Sequence, residues 1–210
     1  MLAGQNSPPS EHAPPTEAAA LVDDAARSSL YALLAKLLSD VPDGALLRIA
    51  AELRADPTTP VGAALSDLAA VARDHRDQLD VLSDEFHDLF LGVGRGELLP
   101  YASYYLTGFL HEKPLAELRE QLQALGLTAD PDEKEPEDHI AAVLDVMAHL
   151  TRPDSGDPAA ARQFFDRQVV TWAPKFFADL QAADRSAFYA PVGRLGSAFL
   201  DVEVKANAMA

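Results

Sequence analysis

The stretch Ser29-Leu30-Tyr31-Ala32-Leu33-Leu34-Ala35-Lys36-Leu37-Leu38-Ser39 sets leucines at positions 30, 33, 34, 37 and 38. Spacings of three and four residues put all five on one face of an amphipathic α-helix. A helix is therefore predicted from about Glu17 to Ser39. The same period recurs along the chain. Asp43 is a capping residue for a second helix with Leu46, Leu47, Ala50 and Leu53 inward, and Thr59-Pro60 starts a third with Val61, Leu65, Leu68 and Ala72 inward. A fourth carries Leu82, Phe86, Leu89 and Phe90 and stops at the glycines of Gly92-Val93-Gly94-Arg95-Gly96.

Beyond the aromatic cluster Tyr101, Tyr104, Tyr105 and Phe109, Pro114 opens a helix with Leu115, Leu118, Leu122 and Leu125 inward, closed by Gly126. Residues Thr128 to Glu135 read as an exposed acidic connection. Ile140, Val143, Leu144 and Met147 mark the next buried face, and Arg152 to Asp157 a turn. Asp157-Pro158 restarts the pattern, which runs through Phe164, Phe165, Val169, Trp172, Phe176, Phe177 and Leu180 to a last helix with Phe188, Val192, Leu195 and Phe199. Pro174 and Pro191 each begin a helix or kink one. Strand-like alternation and fixed-period repeats are absent. The expectation is an all-α, compact single-domain bundle of eight or nine helices over residues 18–204, with tails at 1–17 and 205–210.

The chain has 210 residues, 48% of them hydrophobic, enough for a sizeable core, and no cysteine. Disulfides, thiolate metal sites and cysteine nucleophiles are thereby excluded. Thirty-three acidic against 17 basic residues give a net charge of −16. That balance disfavours nucleic acid and favours a cationic partner, although acidic surfaces also serve solubility alone. Residues Met1 to Glu17 contain Pro8, Pro9, Pro14 and Pro15 but neither a basic nor an apolar signal region, and no apolar run reaches bilayer length. A disordered tail and a cytoplasmic location are expected.

The densest polar cluster is Glu135-Pro136-Glu137-Asp138-His139, leading directly into the apolar face at Ile140. Two readings stand. Pro136 and the carboxylates suit a first helical turn and its dipole. Alternatively, Asp138 and His139 face a groove and bind a basic ligand. Asp84-Glu85-Phe86-His87 sets a carboxylate three residues before a histidine, but a bundle metal site needs such pairs on several helices, so no metal or other cofactor is expected. The Gly92–Gly96 loop lacks the Walker ending and follows no strand, which leaves a tight turn. Tyr101-Ala102-Ser103-Tyr104-Tyr105 lines either a groove or the core.

Taken in order, Asp84-Glu85-Phe86-His87-Asp88-Leu89-Phe90-Leu91-Gly92, Leu99-Pro100-Tyr101-Ala102-Ser103-Tyr104-Tyr105 and Glu135-Pro136-Glu137-Asp138-His139-Ile140 resemble the motifs of the TorD/DmsD family. Gln163-Phe164-Phe165, Trp172-Ala173-Pro174-Lys175-Phe176-Phe177 and Phe188-Tyr189 extend the likeness to roughly 26–200. The resemblance implies a cytoplasmic helical chaperone, without catalysis, that binds the precursor of a molybdopterin-containing oxidoreductase and its twin-arginine leader, assists cofactor insertion and delays export. It also implies a leader-binding region made of Phe86, Leu89, Phe90, Gly92, Pro100, Tyr101, Ser103, Tyr104, Glu135, Pro136, Asp138 and His139. Some relatives bind guanine nucleotide or form domain-swapped homodimers, and nothing in these residues establishes either. Two departures are visible. Val143-Leu144 stands where relatives often carry a Glu-Leu pair, which puts any contact through that glutamate in doubt, and a single Pro100 stands where many have two.

Two other classes compete. A helical transcription regulator requires a basic recognition helix, whereas the first helix here offers only Arg27 and Lys36. A carboxylate-rich metal- or nucleotide-dependent enzyme requires convergent ligands or stoichiometric nucleotide.

Overall fold

The computed structural model describes residues 24–92, 96–128, 135–154 and 156–209. Ten α-helices follow one another: α1 Asp24–Ser39, α2 Gly44–Ala51, α3 Pro60–Asp74, α4 Leu79–Phe86, α5 Ala102–Thr107, α6 Lys113–Ala124, α7 Ile140–Leu150, α8 Pro158–Phe164, α9 Ala173–Ala182 and α10 Tyr189–Met209. Single π-helical turns, His87–Leu91 and Phe165–Val169, continue α4 and α8. Among the described residues the extended structure is one isolated antiparallel bridge, Tyr101 with His139.

The starts and stops follow local chemistry. Asp43 accepts the Leu46 amide at 2.7 Å, Thr59 Oγ1 the Gly62 amide at 3.0 Å, and Asp157 the Ala159 and Ala160 amides at 2.9 and 3.1 Å. Each satisfies an otherwise orphaned N–H of a first turn. Gly126 ends α6 in the left-handed region at φ +72°, where a Cβ would be strained. Pro174 lies in the first turn of α9 and Pro191 in that of α10, so both begin helices rather than kink them.

One continuous core joins the helices. α1 packs along α7, α10 against α9 and α3, and α2 against α3. Leu34, Leu37, Leu47, Leu68, Leu82, Leu144, Met147, Phe164, Trp172, Phe176, Phe177, Phe188, Val192, Leu195 and Phe199 are all buried. Burying each large side chain contributes about 1.5–3 kcal/mol against the entropy of ordering the chain. α9 and α10 approach closely at Gly196, where an added Cβ would fall 2.3 Å from the Phe177 ring. α1 and α10 are tied by Glu203, a buried carboxylate that accepts from Arg27 Nε and Nη2 and from Tyr31 Oη, each at 2.8 Å.

Three expectations are corrected. Among the described residues the helices number ten, because Ala102–Thr107 forms a short helix of its own, too brief for a 3.6-residue pattern to register. Residues 205–209 belong to α10 instead of a tail, since Val204-Lys205-Ala206-Asn207-Ala208-Met209 contains no glycine or proline to stop it. Phe109 leaves the aromatic cluster and is 70% exposed, because α5 ends at Thr107 and the chain turns outward through Gly108. The 1–17 tail and the start of the first helix before Asp24 lie outside the described residues, as do 93–95 of the glycine loop and 129–134 of the acidic connection.

Candidate functional site

The stretch entering α7 meets the stretch entering α5. Ala102 donates its amide to the Asp138 carbonyl at 2.9 Å, and Ile140 donates to the Pro100 carbonyl at 2.8 Å, which lays the two chains antiparallel at Tyr101 and His139. Their rings meet edge to face, with centroids 5.2 Å apart. The Tyr101 hydroxyl donates to Glu135. Asp138, 1% exposed, accepts the Ser103 amide at 2.8 Å. That amide is in the first turn of α5, and Tyr101, the residue in the capping position, supplies no side-chain bond. Asp138 thus caps from a distant segment a helix whose own sequence lacks a cap. His139 Nδ1 accepts the Ala141 amide at 3.2 Å, capping α7 and assigning the imidazole proton to Nε2.

Residues 135–139 partition two cavities. Glu135, Glu137 and His139 line a groove of about 740 Å³ between α1, α6 and α7, whose walls include Ala32, Ala35, Leu118, Leu122, Leu127, Ala142, Val143 and Val146. Polar groups at this groove also include Lys36, Asp145 and His149. Pro136 and Asp138 point the other way, into a pocket of about 100 Å³ shared with Tyr101, Ser103, Leu110 and His111.

Carboxylates outnumber cations here. Arg119 pairs with Glu137 at 2.7 Å, and its guanidinium holds the Glu137 carboxyl below the usual range despite partial burial. Burial, the hydrogen bond to Glu135 and the charges of Glu135 and Asp138 push the Tyr101 hydroxyl well above the ordinary phenol range. Burial comes first at Tyr105 too, followed by the charge of Asp179.

Of the residues named from sequence, Pro100, Tyr101, Ser103, Glu135, Pro136, Asp138 and His139 come together at this corner. Tyr104 follows in α5 and stacks edge to face on Tyr105. Phe86, Leu89 and Phe90 do not join the corner as a groove wall. They are buried in the core, where Phe86 and Phe90 pack on each other and on Tyr189. Gly92 closes the π turn by donating its amide to the His87 carbonyl at 2.6 Å. That turn frees the Asp88 and Leu89 carbonyls for the amides of Glu97 and Leu98, and so sets the path of the chain toward Pro100. Asp138 also does not share the groove that His139 faces. Within the Asp84–His87 stretch, Glu85 is buried against the start of α10, and His87 Nδ1 lies 2.7 Å from the Ser83 carbonyl. Sequence reasoning missed the α1 wall of the groove, Ala32 and Ala35, and the α6 wall, Leu118 and Leu122, since small and aliphatic residues carry no chemical signature.

The nitrate reductase delta subunit family matches residues 54–178. The chain is 36% identical over 135 residues to the chaperone protein TorD of Vibrio atlanticus, covering 59% of this chain and 63% of that protein, just under two thirds of its length. It is 35% identical over 156 residues to TorD of Aliivibrio fischeri, covering 69% and 72%. A solved redox enzyme maturation protein from Archaeoglobus fulgidus superposes with a TM-score of 0.55 at 23% identity, over 83% of this chain and 93% of its own, which shows a shared helical fold. The matched segment takes in both π turns, the Tyr101–His139 bridge, the α6 and α7 walls of the groove and the lining of the small pocket, and on these matches the chain belongs to the nitrate reductase delta subunit family, the family of the TorD chaperones.

Proposed function

We propose that this chain is a cytoplasmic, non-catalytic chaperone for the precursor of a molybdopterin-containing oxidoreductase, and that the α1/α6/α7 groove receives the apolar stretch of its twin-arginine leader. The observation that carries this reading is the groove itself. Its walls are aliphatic, Glu135, Glu137 and Asp145 stand around it against Lys36, and family motif residues form one side. Its volume falls within the range of roughly 300–1,000 Å³ typical of ligand sites. That is room for the anchor side chains of one face of a helix and too little for a whole helix, which fits helix-in-groove recognition. The net charge of −16 steers a basic segment toward the chain and leaves the aliphatic contacts to hold it. No described group of three or more His, Cys, Asp or Glu converges as a metal site would, and no described helix is long and apolar enough to cross a membrane.

The test is calorimetric titration of the full chain with a synthetic peptide carrying paired arginines followed by an apolar stretch. Saturable binding that weakens with added salt is expected. Equal binding of a scrambled peptide with the arginines replaced by neutral residues would overturn the reading.

A further inference from the structure

Three carboxylates from one short stretch of chain, residues 85–97, grip the connection between α9 and α10. Glu85 accepts the amides of Phe188 and Tyr189, Asp88 pairs with the Arg185 guanidinium, and Glu97 accepts the Asp184 amide at 2.9 Å. Glu85 is buried and serves as a cap, whereas Asp88, Glu97 and Arg185 are exposed. Exposed pairs of this kind add little to global stability, because water screens them and long side chains lose freedom in forming them. What these two contacts fix is a position.

Asp88 and Glu97 stand where the chain enters and leaves the turn around the glycines, and they are bonded to each other. The Glu97 amide donates to the Asp88 carbonyl at 3.2 Å and the Leu98 amide to the Leu89 carbonyl at 2.8 Å. Gly96 lies so close to the π turn that a Cβ there would fall 2.5 Å from the Phe90 carbonyl carbon. Only Leu99 separates this neck from Pro100. Leu99 precedes a proline and is confined to extended conformations, and Pro100 has a fixed φ. The Pro100 carbonyl then accepts the Ile140 amide, and the Ala102 amide bonds the Asp138 carbonyl. A strap this short and stiff passes a shift at the neck on to Tyr101 and His139 instead of absorbing it.

We infer that Arg185 and Glu97 are positioning residues for the Tyr101–His139 corner. Together with Asp88 they clamp the neck to the α9–α10 connection, and so hold the strap from Leu98 to Tyr101 in the register that pairs it with residues 138–140. Neither residue lines the groove or the small pocket, so both act through the strap. The inference rests on the peptide-binding reading above and extends it to residues outside both cavities.

Hydrogen exchange of the full chain, read at single amides by NMR, tests the clamp without any peptide. The Ala102 and Ile140 amides, which close the bridge, should exchange at least about tenfold faster in Arg185→Glu and in Glu97→Ala, while the Leu37 amide in α1 keeps its rate and the melting midpoint holds. Glu97→Gln, which retains an oxygen for the Asp184 amide, should keep most of the protection. Asp88→Arg added to Arg185→Glu should restore it. Titration with the leader peptide should show binding about three- to tenfold weaker in the two loosened variants and near the parent value in Glu97→Gln and the reversed pair. Unchanged exchange at Ala102 and Ile140, or a loss that the reversed pair does not repair, overturns the clamp. Faster exchange with undiminished peptide affinity overturns its part in binding and leaves the groove reading standing. A parent chain that binds no peptide sinks the leader reading, and the exchange rates still decide the clamp.

Discussion

The carboxylate of Glu85 accepts the backbone amide of Phe188 at 2.8 Å, across 103 residues of sequence, and that of Tyr189 at 2.9 Å. The fourth helix thereby caps the last one, which begins at Tyr189, from outside. Replacing Glu85 by alanine leaves two buried amides unpaired and should cost about 1–3 kcal/mol. Glu85→Gln retains an oxygen acceptor and should cost less. Urea unfolding of both variants measures the difference, and equal stability of the alanine variant and the parent would show that this cap contributes nothing.

The tyrosines set an alkaline limit. Burial raises the hydroxyls of Tyr31, Tyr101, Tyr105 and Tyr189, in Tyr31 and Tyr189 well above the free value, with nearby carboxylates adding to each. A folded-state value above the unfolded one means that stability is fully present below about pH 10, the unfolded phenol value, and falls as pH climbs above it, because only the unfolded chain releases these protons easily. Ultraviolet titration should find Tyr31, Tyr101, Tyr105 and Tyr189 protonated through the usual phenol range until the chain unfolds. Reversible ionisation of these four near pH 10 with the helical signal intact would contradict this burial.

Gly196→Ala should disrupt the seam between α9 and α10. The new methyl would meet the Phe177 ring at 2.3 Å, and that ring is itself fully buried, edge to face on Phe176. Overpacking of this kind costs about 1–3 kcal/mol, against about 1 kcal/mol regained in helix propensity, and a ring held on all sides puts the cost toward the upper end. Thermal melts of the variant should shift downward, and an unchanged or raised midpoint would mean that the seam relaxes freely.

The fold was legible in sequence where local chemistry decides it. Leucine spacing in α1, the caps at Asp43, Thr59 and Asp157, and the stop at Gly126 depend on neighbours within a turn. Long-range substitutes were not legible. Glu85 and Asp138 cap helices more than 30 residues away, and nothing in their surroundings distinguishes them from surface carboxylates or a first-turn acid. The candidate site was legible in part. The motif residues at Tyr101 and His139 do meet, but an apolar stripe reads the same whether it lines a core or a groove, and Phe86, Leu89 and Phe90 line the core. The groove's remaining walls come from α1 and α6, whose alanines and leucines gain meaning only once the helices are packed. Asp138→Ala consequently carries a structural cost as well as a binding one, and Asp138→Asn is the cleaner probe.

The central claim is that the α1/α6/α7 groove receives the apolar stretch of a basic leader, and the most direct measurement is calorimetric titration of Ala32→Arg with the leader peptide. Ala32 lines the groove from an exposed position of α1, so arginine there fills the space and opposes a basic ligand without disturbing the core. Affinity should fall at least about tenfold, or about 1.4 kcal/mol, with the melting transition unchanged. Undiminished affinity in a folded Ala32→Arg variant would contradict the account.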